Sequence, residues 1–463
     1  MQELAEKIQG TKLNMSKNSF CIYPWMHIQL KPNGQAKPCC RFDHMNEAYR
    51  DENGKPTMSK YNIHNMTFEE ISNSEFWTQL RRDMRNHKNI PGCHKCKKED
   101  DLGGFSMRHN ANMAWNNANQ QYPENAEIKF KYLELTTGRF CNLACRMCSS
   151  DLSTTWDNDD KLLQGLYYDR QDYSNRPQTL SLDFEEEDFK EVTFIKLTGG
   201  EPMLSPTFEP FLDTVINSGY AKNILLQIYT NCSWIPKQRI VDKLKQLGIV
   251  QINISIDGLE SVNDYVRYPS KWNIVEASAK KWVEFSTVHT NFDIILSPTI
   301  SLYNILQVPK IWNWWKEIQT KAFGKKFIVD KTYYQQYIDK QRTAGGTSYI
   351  YQIARFSPTM LQTPHYLHPA MLPDKQETLD ALHEIIKQEE TVVETKEEMD
   401  FYRRFATIIM HIIKALEKDS NNKLQEFVSY SADLDKLREQ SLQNDLPNLW
   451  NQIKDHVEYK GRL

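Results

Sequence analysis

No apolar run in the 463 residues approaches the roughly 18 needed to span a bilayer, and residues 1–20 are polar with no apolar leader segment. The sequence therefore predicts a cytoplasmic protein with no membrane partner. Charge of one sign is also missing: 57 Lys and Arg stand against 60 Asp and Glu, a net charge of -3. That balance leaves no basic footprint and predicts no nucleic-acid partner. There is no low-complexity tail, and no internal repeat beyond the βα units described below. Cysteine is sparse, nine in all, and is distributed as Cys21, Cys39, Cys40, Cys93 and Cys96, then Cys141, Cys145 and Cys148, with Cys232 alone. In a reducing compartment such clusters suit metal ligation or free thiols better than disulfides.

What is present is an ordinary globular composition, 40% hydrophobic and 25% charged, in a chain long enough for two or three domains. Apolar strand-like runs recur at 132–135, 192–198, 224–229, 250–256, 292–296 and 327–329, with helix-like stretches between them at 208–218, 237–247 and 274–285. Repeated βα units of this kind predict an α/β fold around a parallel sheet, and periodicity alone allows either a partial barrel or a doubly wound sheet. Residues 26–39 read as a hairpin turning at Asn33-Gly34, and a helix is predicted over 68–84, ended by Pro91-Gly92. After residue 340 strands give way to a connector at 343–373 and to amphipathic helices at 399–416 and 422–440, and the acidic run 389–400 reads as a solvated face. The domain boundaries this suggests are 1–125, 126–340 and 341–463.

Ligands gather at the carboxyl ends of parallel strands, and the distinctive short motifs fall there. Cys141, Cys145 and Cys148, spaced C-x3-C-x2-C, follow the first run. Gly199-Gly200-Glu201-Pro202 follows the second, Thr230-Asn231 the third, Ser255-Ile256-Asp257-Gly258 the fourth and Ser297 the fifth. Cubane iron–sulfur clusters are normally held by four thiolates, so three cysteines on one tight loop leave a position open for a ligand that is not protein. An open position on a bound metal goes with chemistry rather than with structure alone.

Cys141, Cys145 and Cys148 resemble the cluster loop of the radical S-adenosylmethionine (SAM) superfamily. The resemblance implies a partial (β/α)6 TIM-type barrel and a catalytic [4Fe-4S] cluster on these three residues, with SAM chelating the open iron. It departs from the family at Met147, where an aromatic residue is usual; methionine is apolar and adaptable enough to pack on adenine. Gly199, Gly200 and Glu201 resemble the family's motif for the SAM amino group. Thr230, Asn231, Ser255 and Asp257 resemble its ribose and carboxylate contacts, with Arg267 and Ser297 near the SAM carboxylate and rim. As plain turns and caps the same residues would be unremarked.

The N-terminal cysteines Cys21, Cys39, Cys93 and Cys96 look like the twitch domain, a reduced SPASM domain that binds one auxiliary [4Fe-4S] cluster. Here it precedes the barrel instead of following it. Cys40 is left spare, and Cys232 is read either as a buried, inert thiol or as a group facing the rim. A zinc site on the same four thiols fits the spacing equally well.

The activity implied is reductive cleavage of SAM to methionine and a 5'-deoxyadenosyl radical, which then oxidises or modifies a peptide, protein or small-metabolite substrate by hydrogen-atom abstraction. An electron donor such as flavodoxin or ferredoxin is implied as partner. Two competing readings are a zinc-binding structural or scaffold protein and a degenerate barrel that binds SAM without cleaving it.

Overall fold

The computed structural model describes residues 19–54, 56–101, 106–115, 122–123, 128–181, 184–324, 355–418 and 423–463. The described residues divide into two compact units, the first within 19–136 and 187–196, the second within 137–186, 197–324 and 355–463.

The first unit is built on a short hairpin. Strands β1 (His27–Leu30) and β2 (Ala36–Lys37) pair antiparallel, Gln29 opposite Lys37 and Leu30 opposite Ala36, and the turn between them places Gly34 at φ +76°. A side chain at Gly34 would strike Asn62 and His64 at 2.5 Å, so glycine is required there for space as well as for backbone conformation. Strand β3 (Tyr132–Thr136) runs parallel to β1, and β4 (Phe194–Thr198) starts in this unit and ends in the next. The helices are α1 (Phe68–Ser72), α2 (Glu75–Arg85), α3 (His94–Asp101) and α4 (Met107–Trp115). Thr67 and Glu70 close a capping box on α1. Edge-to-face packing of Phe42, Tyr49, Tyr61, Phe76 and Trp77 forms the core beneath α2.

In the second unit β5 (Leu225–Thr230), β6 (Ile249–Ile254) and β7 (Phe292–Leu296) pair in parallel, with Gln227, Gln251 and Asp293 in one row. Between and around them lie α5 (Asp157–Leu163), α6 (Phe208–Asn217), α7 (Gln238–Leu244), α8 (Glu260–Val266), α9 (Trp272–Val288) and α10 (Val308–Phe323). Leu226, Ile228, Val250, Ile252 and Ile294 are wholly buried, and Trp282 of α9 stacks against Phe292, so the helical layer covers this face of the strands.

The sixth strand expected at 327–329 lies outside the described residues. The place beside β7 and the short β8 (Thr299–Ile300) is taken instead by residues 355–361. Leu296 N–H donates to the Arg355 carbonyl at 2.8 Å, Ser357 N–H to Leu296 at 2.7 Å and Leu361 N–H to Ile300 at 2.9 Å, and β9 (Thr359–Met360) runs parallel to β8.

The C-terminal region is helical as the periodicity predicts: α11 (Gln376–Glu390), α12 (Lys396–Leu416), α13 (Leu424–Arg438), α14 (Leu442–Asp445) and α15 (Pro447–Ile453). Thr395 and Glu398 form a capping box that begins α12. Trp312 and Trp315 are buried packing residues on α10, with Trp312 against Phe405 of α12 at 4.2 Å. The acidic run is not a uniformly solvated face: Glu389 is buried and accepts from Trp312 Nε1 at 3.0 Å and from Lys316 Nζ at 2.6 Å. Among the described residues no helix is long and apolar enough to cross a membrane.

Candidate functional site

Cys141, Cys145 and Cys148 sit on one loop after β3, and its backbone is fastened on every side. The Cys141 carbonyl accepts from the Thr154 and Thr155 hydroxyls at 3.2 and 2.7 Å, and the Cys145 carbonyl accepts from Trp156 Nε1 at 3.0 Å. Arg170 donates to the Cys148 carbonyl at 2.6 Å, and Cys148 N–H closes a turn onto the Cys145 carbonyl at 2.8 Å. The three thiols lie near enough for their charges to interact. Burial, then repulsion from Cys145, holds the Cys141 thiol up at about 12; the same two causes, with Cys141 added, raise Cys148, and burial raises Cys145. Three thiols that repel as thiolates need a shared cationic centre to deprotonate together. This donor set therefore fits an iron–sulfur cluster with one iron not held by cysteine.

The loop is tied to the β4 and β5 ends through Glu201. Its carboxylate accepts from the Thr230 hydroxyl at 2.8 Å and from the Asn231 backbone N–H at 2.6 Å. Asn231 Nδ2 donates in turn to Asn142 at 2.8 Å and approaches the Cys141 sulfur at 3.8 Å. Glu201 is 1% exposed, and burial lifts its carboxyl to about 7 despite those donors. The two glycines before it serve the loop itself. Gly199 has φ +129°, and a side chain at Gly200 would meet the Phe140 carbonyl at 2.2 Å. Gly200 and Glu201 donate their N–H groups to Gly138 and Phe140 at 2.9 and 2.8 Å. Close backbone approach is thus required against residues 138–140, immediately before Cys141.

Asp257 is wholly buried, ion-paired to Arg267 and accepting from Thr299 N–H at 2.6 Å, so its carboxylate is already engaged. Arg267, at the end of α8, keeps its Nε buried without a hydrogen-bond partner among the described residues and adds positive charge near Cys145 and Cys141. Ser297 donates to Asn253 at 3.2 Å, while Ser255 and Met147 are half-buried. Cys232 is buried in a left-handed conformation, φ +59°, with its sulfur 3.3 Å from the Ser278 hydroxyl of α9.

In the first unit, Cys21, Cys39, Cys93 and Cys96 line one cavity with Tyr23, Phe42 and Arg108. Burial holds Cys21 and Cys39 up at about 12, with repulsion among the four thiols adding to it. Cys40 departs from the group: its sulfur lies 3.7 Å from that of Met107, and its thiol interacts with Glu134. Glu134 is the centre of a separate buried network, paired with Lys196 at 3.0 Å and His27 at 3.4 Å and held well below the usual carboxylate range by those partners despite its burial. Among the described residues no three His, Cys, Asp or Glu groups form a site for a single metal ion.

Several residues at the three-cysteine loop are missed by the sequence reading. Arg146, flanked by Cys145 and Met147, is completely buried, lies 3.6 Å from the Tyr265 ring centre, and pairs with Asp435 of α13. Tyr430 of α13 donates to the Arg146 carbonyl at 2.8 Å. The C-terminal region is therefore part of the site's surroundings, and no local motif signals it. The row Gln227, Gln251, Asp293 is also missed. Gln227 donates to Gln251 at 2.6 Å and Gln251 to Asp293 at 3.3 Å, on the strand face opposite Phe292 and α9.

Residues 135–300 match the sequence model of the Radical SAM superfamily, and residues 21–97 match SPASM, an iron-sulfur cluster-binding domain. The chain is 31% identical over 131 residues to the GTP 3',8-cyclase of Aliarcobacter butzleri (strain RM4018), covering 28% of this chain and 36% of that protein. It is 24% identical over 219 residues to the GTP 3',8-cyclase of Vibrio atlanticus (strain LGP32), covering 45% of this chain and 57% of that protein. Among solved structures, native anSMEcpe with bound AdoMet aligns at 16% identity over 56% of this chain and 59% of that one, TM-score 0.32. Streptococcus suis SuiB bound to precursor peptide SuiA aligns at 13% identity over 70% and 71%, TM-score 0.27. The two domain matches imply a SAM-binding [4Fe-4S] cluster and an auxiliary iron–sulfur cluster. The chain thus carries a radical SAM domain over residues 135–300 and, N-terminal to it, a SPASM iron–sulfur cluster-binding domain over residues 21–97.

Proposed function

We propose that Cys141, Cys145 and Cys148 hold the SAM-binding cluster, that Cys21, Cys39, Cys93 and Cys96 hold one auxiliary [4Fe-4S] cluster, and that the protein oxidises or modifies a polar substrate by hydrogen-atom abstraction. The observation that carries this is the set of three buried, mutually repelling thiols on one loop, linked through Asn231 to the buried Glu201 carboxylate. Bound together, the cluster and SAM supply a one-electron cleavage that yields methionine and a 5'-deoxyadenosyl radical able to take a hydrogen atom from substrate.

The chain's own residues do the rest. Glu201 accepts from the SAM amino group, Gly199 and Gly200 keep that acceptor against the cluster loop, and Met147 offers an apolar surface to adenine. Thr230 and Asn231 orient Glu201. Ser255 and Ser297 offer hydroxyls to ribose and carboxylate oxygens, and Arg267, backed by Asp257, offers positive charge to the carboxylate.

Four thiols on the auxiliary cluster leave no open iron, which suits electron acceptance from a substrate radical and hence a net oxidation or bond formation on a peptide, protein side chain or small metabolite. The amide row Gln227–Gln251, continued by Asn253, suits a neutral hydrogen-bonding substrate over a polyanion. The similarity to GTP 3',8-cyclases covers too little of either chain to bring their substrate here. Flavodoxin or ferredoxin is the proposed reductant.

Anaerobic reconstitution followed by iron, sulfide and zinc determination, with SAM and dithionite added and 5'-deoxyadenosine measured, tests the reading. About eight irons per chain with deoxyadenosine formed supports it. Zinc without deoxyadenosine returns the protein to the scaffold class.

A further inference from the structure

We infer that Arg438, on α13 of the helical C-terminal region, is a positioning residue of the three-cysteine centre, bracing the Cys145 backbone and raising the reduction potential of the cluster held there. The inference rests on the proposed role of Cys141, Cys145 and Cys148.

The Arg438 guanidinium is buried, with its side chain 2% exposed. Its Cζ lies 4.4 Å from the centre of the Trp156 ring and 5.1 Å from that of Tyr268. Each ring belongs to a residue one hydrogen bond from the loop: Trp156 Nε1 donates to the Cys145 carbonyl at 3.0 Å, and the Tyr268 carbonyl accepts from Ala144 N–H at 2.6 Å. Removing the guanidinium would open a gap behind both contacts, so part of its role is mechanical.

The other part is charge. Arg146 is matched by the buried Asp435, Arg170 by Asp160 and Asp169, and Arg267 by Asp257. Among the described residues Arg438 is matched only by Asp159, which accepts from Nε at 3.0 Å and Nη2 at 2.8 Å and is itself 19% exposed. Its Nη1 is buried with no hydrogen-bond partner among the described residues. Arg438 thus carries a positive charge offset by one partly exposed carboxylate, where the carboxylates facing Arg146 and Arg267 are buried, and after Arg267 its field also reaches the Cys145 sulfur. Net charge and hydrogen bonding around the sulfurs set iron–sulfur potentials, and an added electron is favoured by a nearby cation in a low-dielectric surrounding.

The test is a redox titration of the reconstituted full-length protein, following the paramagnetic signal that SAM perturbs, with iron measured on each sample. Arg438→Met should keep its iron and lower the reduced-to-oxidised ratio at fixed potential about tenfold, a midpoint more negative by about 59 mV for one electron. Arg438→Lys should stay within about threefold of wild type. Asp159→Asn should move the midpoint the opposite way, and it decides the matter should the methionine variant lose its cluster. An unmoved midpoint in Arg438→Met with iron retained, a lysine variant shifted as far as the methionine one, or an unmoved Asp159→Asn overturns the inference. A wild-type protein with no SAM-perturbed signal overturns the proposed function itself.

Discussion

Replacing Asp435 by asparagine should loosen the three-cysteine loop from a distance of 289 residues in sequence. Asp435 is 4% exposed and balances Arg146, which is completely buried; it also accepts from Leu442 N–H at 2.6 Å and from the Tyr459 hydroxyl at 2.5 Å. Removing one partner of a buried ion pair typically costs about 3–5 kcal/mol, because the remaining charge has no balance. Arg146 retains the Tyr265 and Ser431 carbonyls, Gln440 and the face of the Tyr265 ring. Asparagine keeps an acceptor for Leu442, so the low end, about 3 kcal/mol, is the reasonable figure. The effect should appear as easier local opening, since Arg146 N–H and Ala144 N–H donate to Val266 and Tyr268, and both bonds depend on the loop staying seated. Hydrogen exchange read by mass spectrometry on the cluster-free protein should show these amides exchanging about 100-fold faster, at about 1.4 kcal/mol per factor of ten. The double variant Arg146→Met with Asp435→Asn should recover most of the protection, because both charges are removed together while an acceptor for Leu442 N–H remains. Exchange within about threefold of wild type in Asp435→Asn would refute the claim that this pair fastens the loop.

Three other outcomes are open to measurement. Burial holds the Glu201 carboxyl at about 7 against an ordinary 4.5, so the folded chain binds that proton more tightly than the unfolded chain, and the associated stability is full below pH 4.5 and lost as pH rises through 7. The unfolding free energy of cluster-free wild type minus that of Glu201→Gln should therefore fall by about 3 kcal/mol from pH 4.5 to 8 in chemical denaturation, and a flat difference contradicts the assignment. Cys145→Ala should abolish deoxyadenosine formation and remove about half of the iron, with the auxiliary site still filled; retained SAM cleavage counts against the cluster assignment. Cys39→Ala should cost the auxiliary iron while Cys40→Ala leaves it in place, because Cys40 turns toward Met107 and Glu134; equal loss in both variants would show that the two cysteines exchange roles.

How much of this was legible in the sequence follows from how local each feature is. Three thiols on one loop are specified by spacing alone, so Cys141, Cys145 and Cys148 stood out, and four of the five N-terminal cysteines could be grouped because their spacing resembles that of the twitch domain. Gly199 and Gly200 were legible as positions of close approach, but the partner, the backbone of residues 138–140, was not, since it depends on how β4 meets the loop after β3. Five of the six strands were readable as apolar runs. The segment that pairs beside β7 was not: it lies some thirty residues beyond α10 in sequence, and Ser357, Pro358 and Thr359 interrupt its apolar residues. Gln227, Gln251 and Asp293 were hidden for the opposite reason, because isolated polar residues inside apolar strands look like tolerated exceptions until the register lines them up.

The C-terminal region shows where local reading ends. Periodicity placed α12 and α13 to within a few residues, yet nothing in residues 424–438 marks Tyr430, Asp435 or Arg438 as neighbours of a cysteine motif nearly 300 positions earlier. What selects them is the inside of the fold. Arg146 is trapped between Cys145 and Met147 on a loop that cannot turn it outward, and a buried guanidinium needs a carboxylate, a carbonyl or an aromatic face at each edge. α13 supplies Asp435 and the Ser431 carbonyl, while α8 and its neighbours supply the Tyr265 ring and carbonyl. The residue that reads as a spacer inside the C-x2-C step is thus the one that couples the cluster loop to the C-terminal helices. Substitutions along α13 should accordingly register at the cluster before they register anywhere else in the second unit.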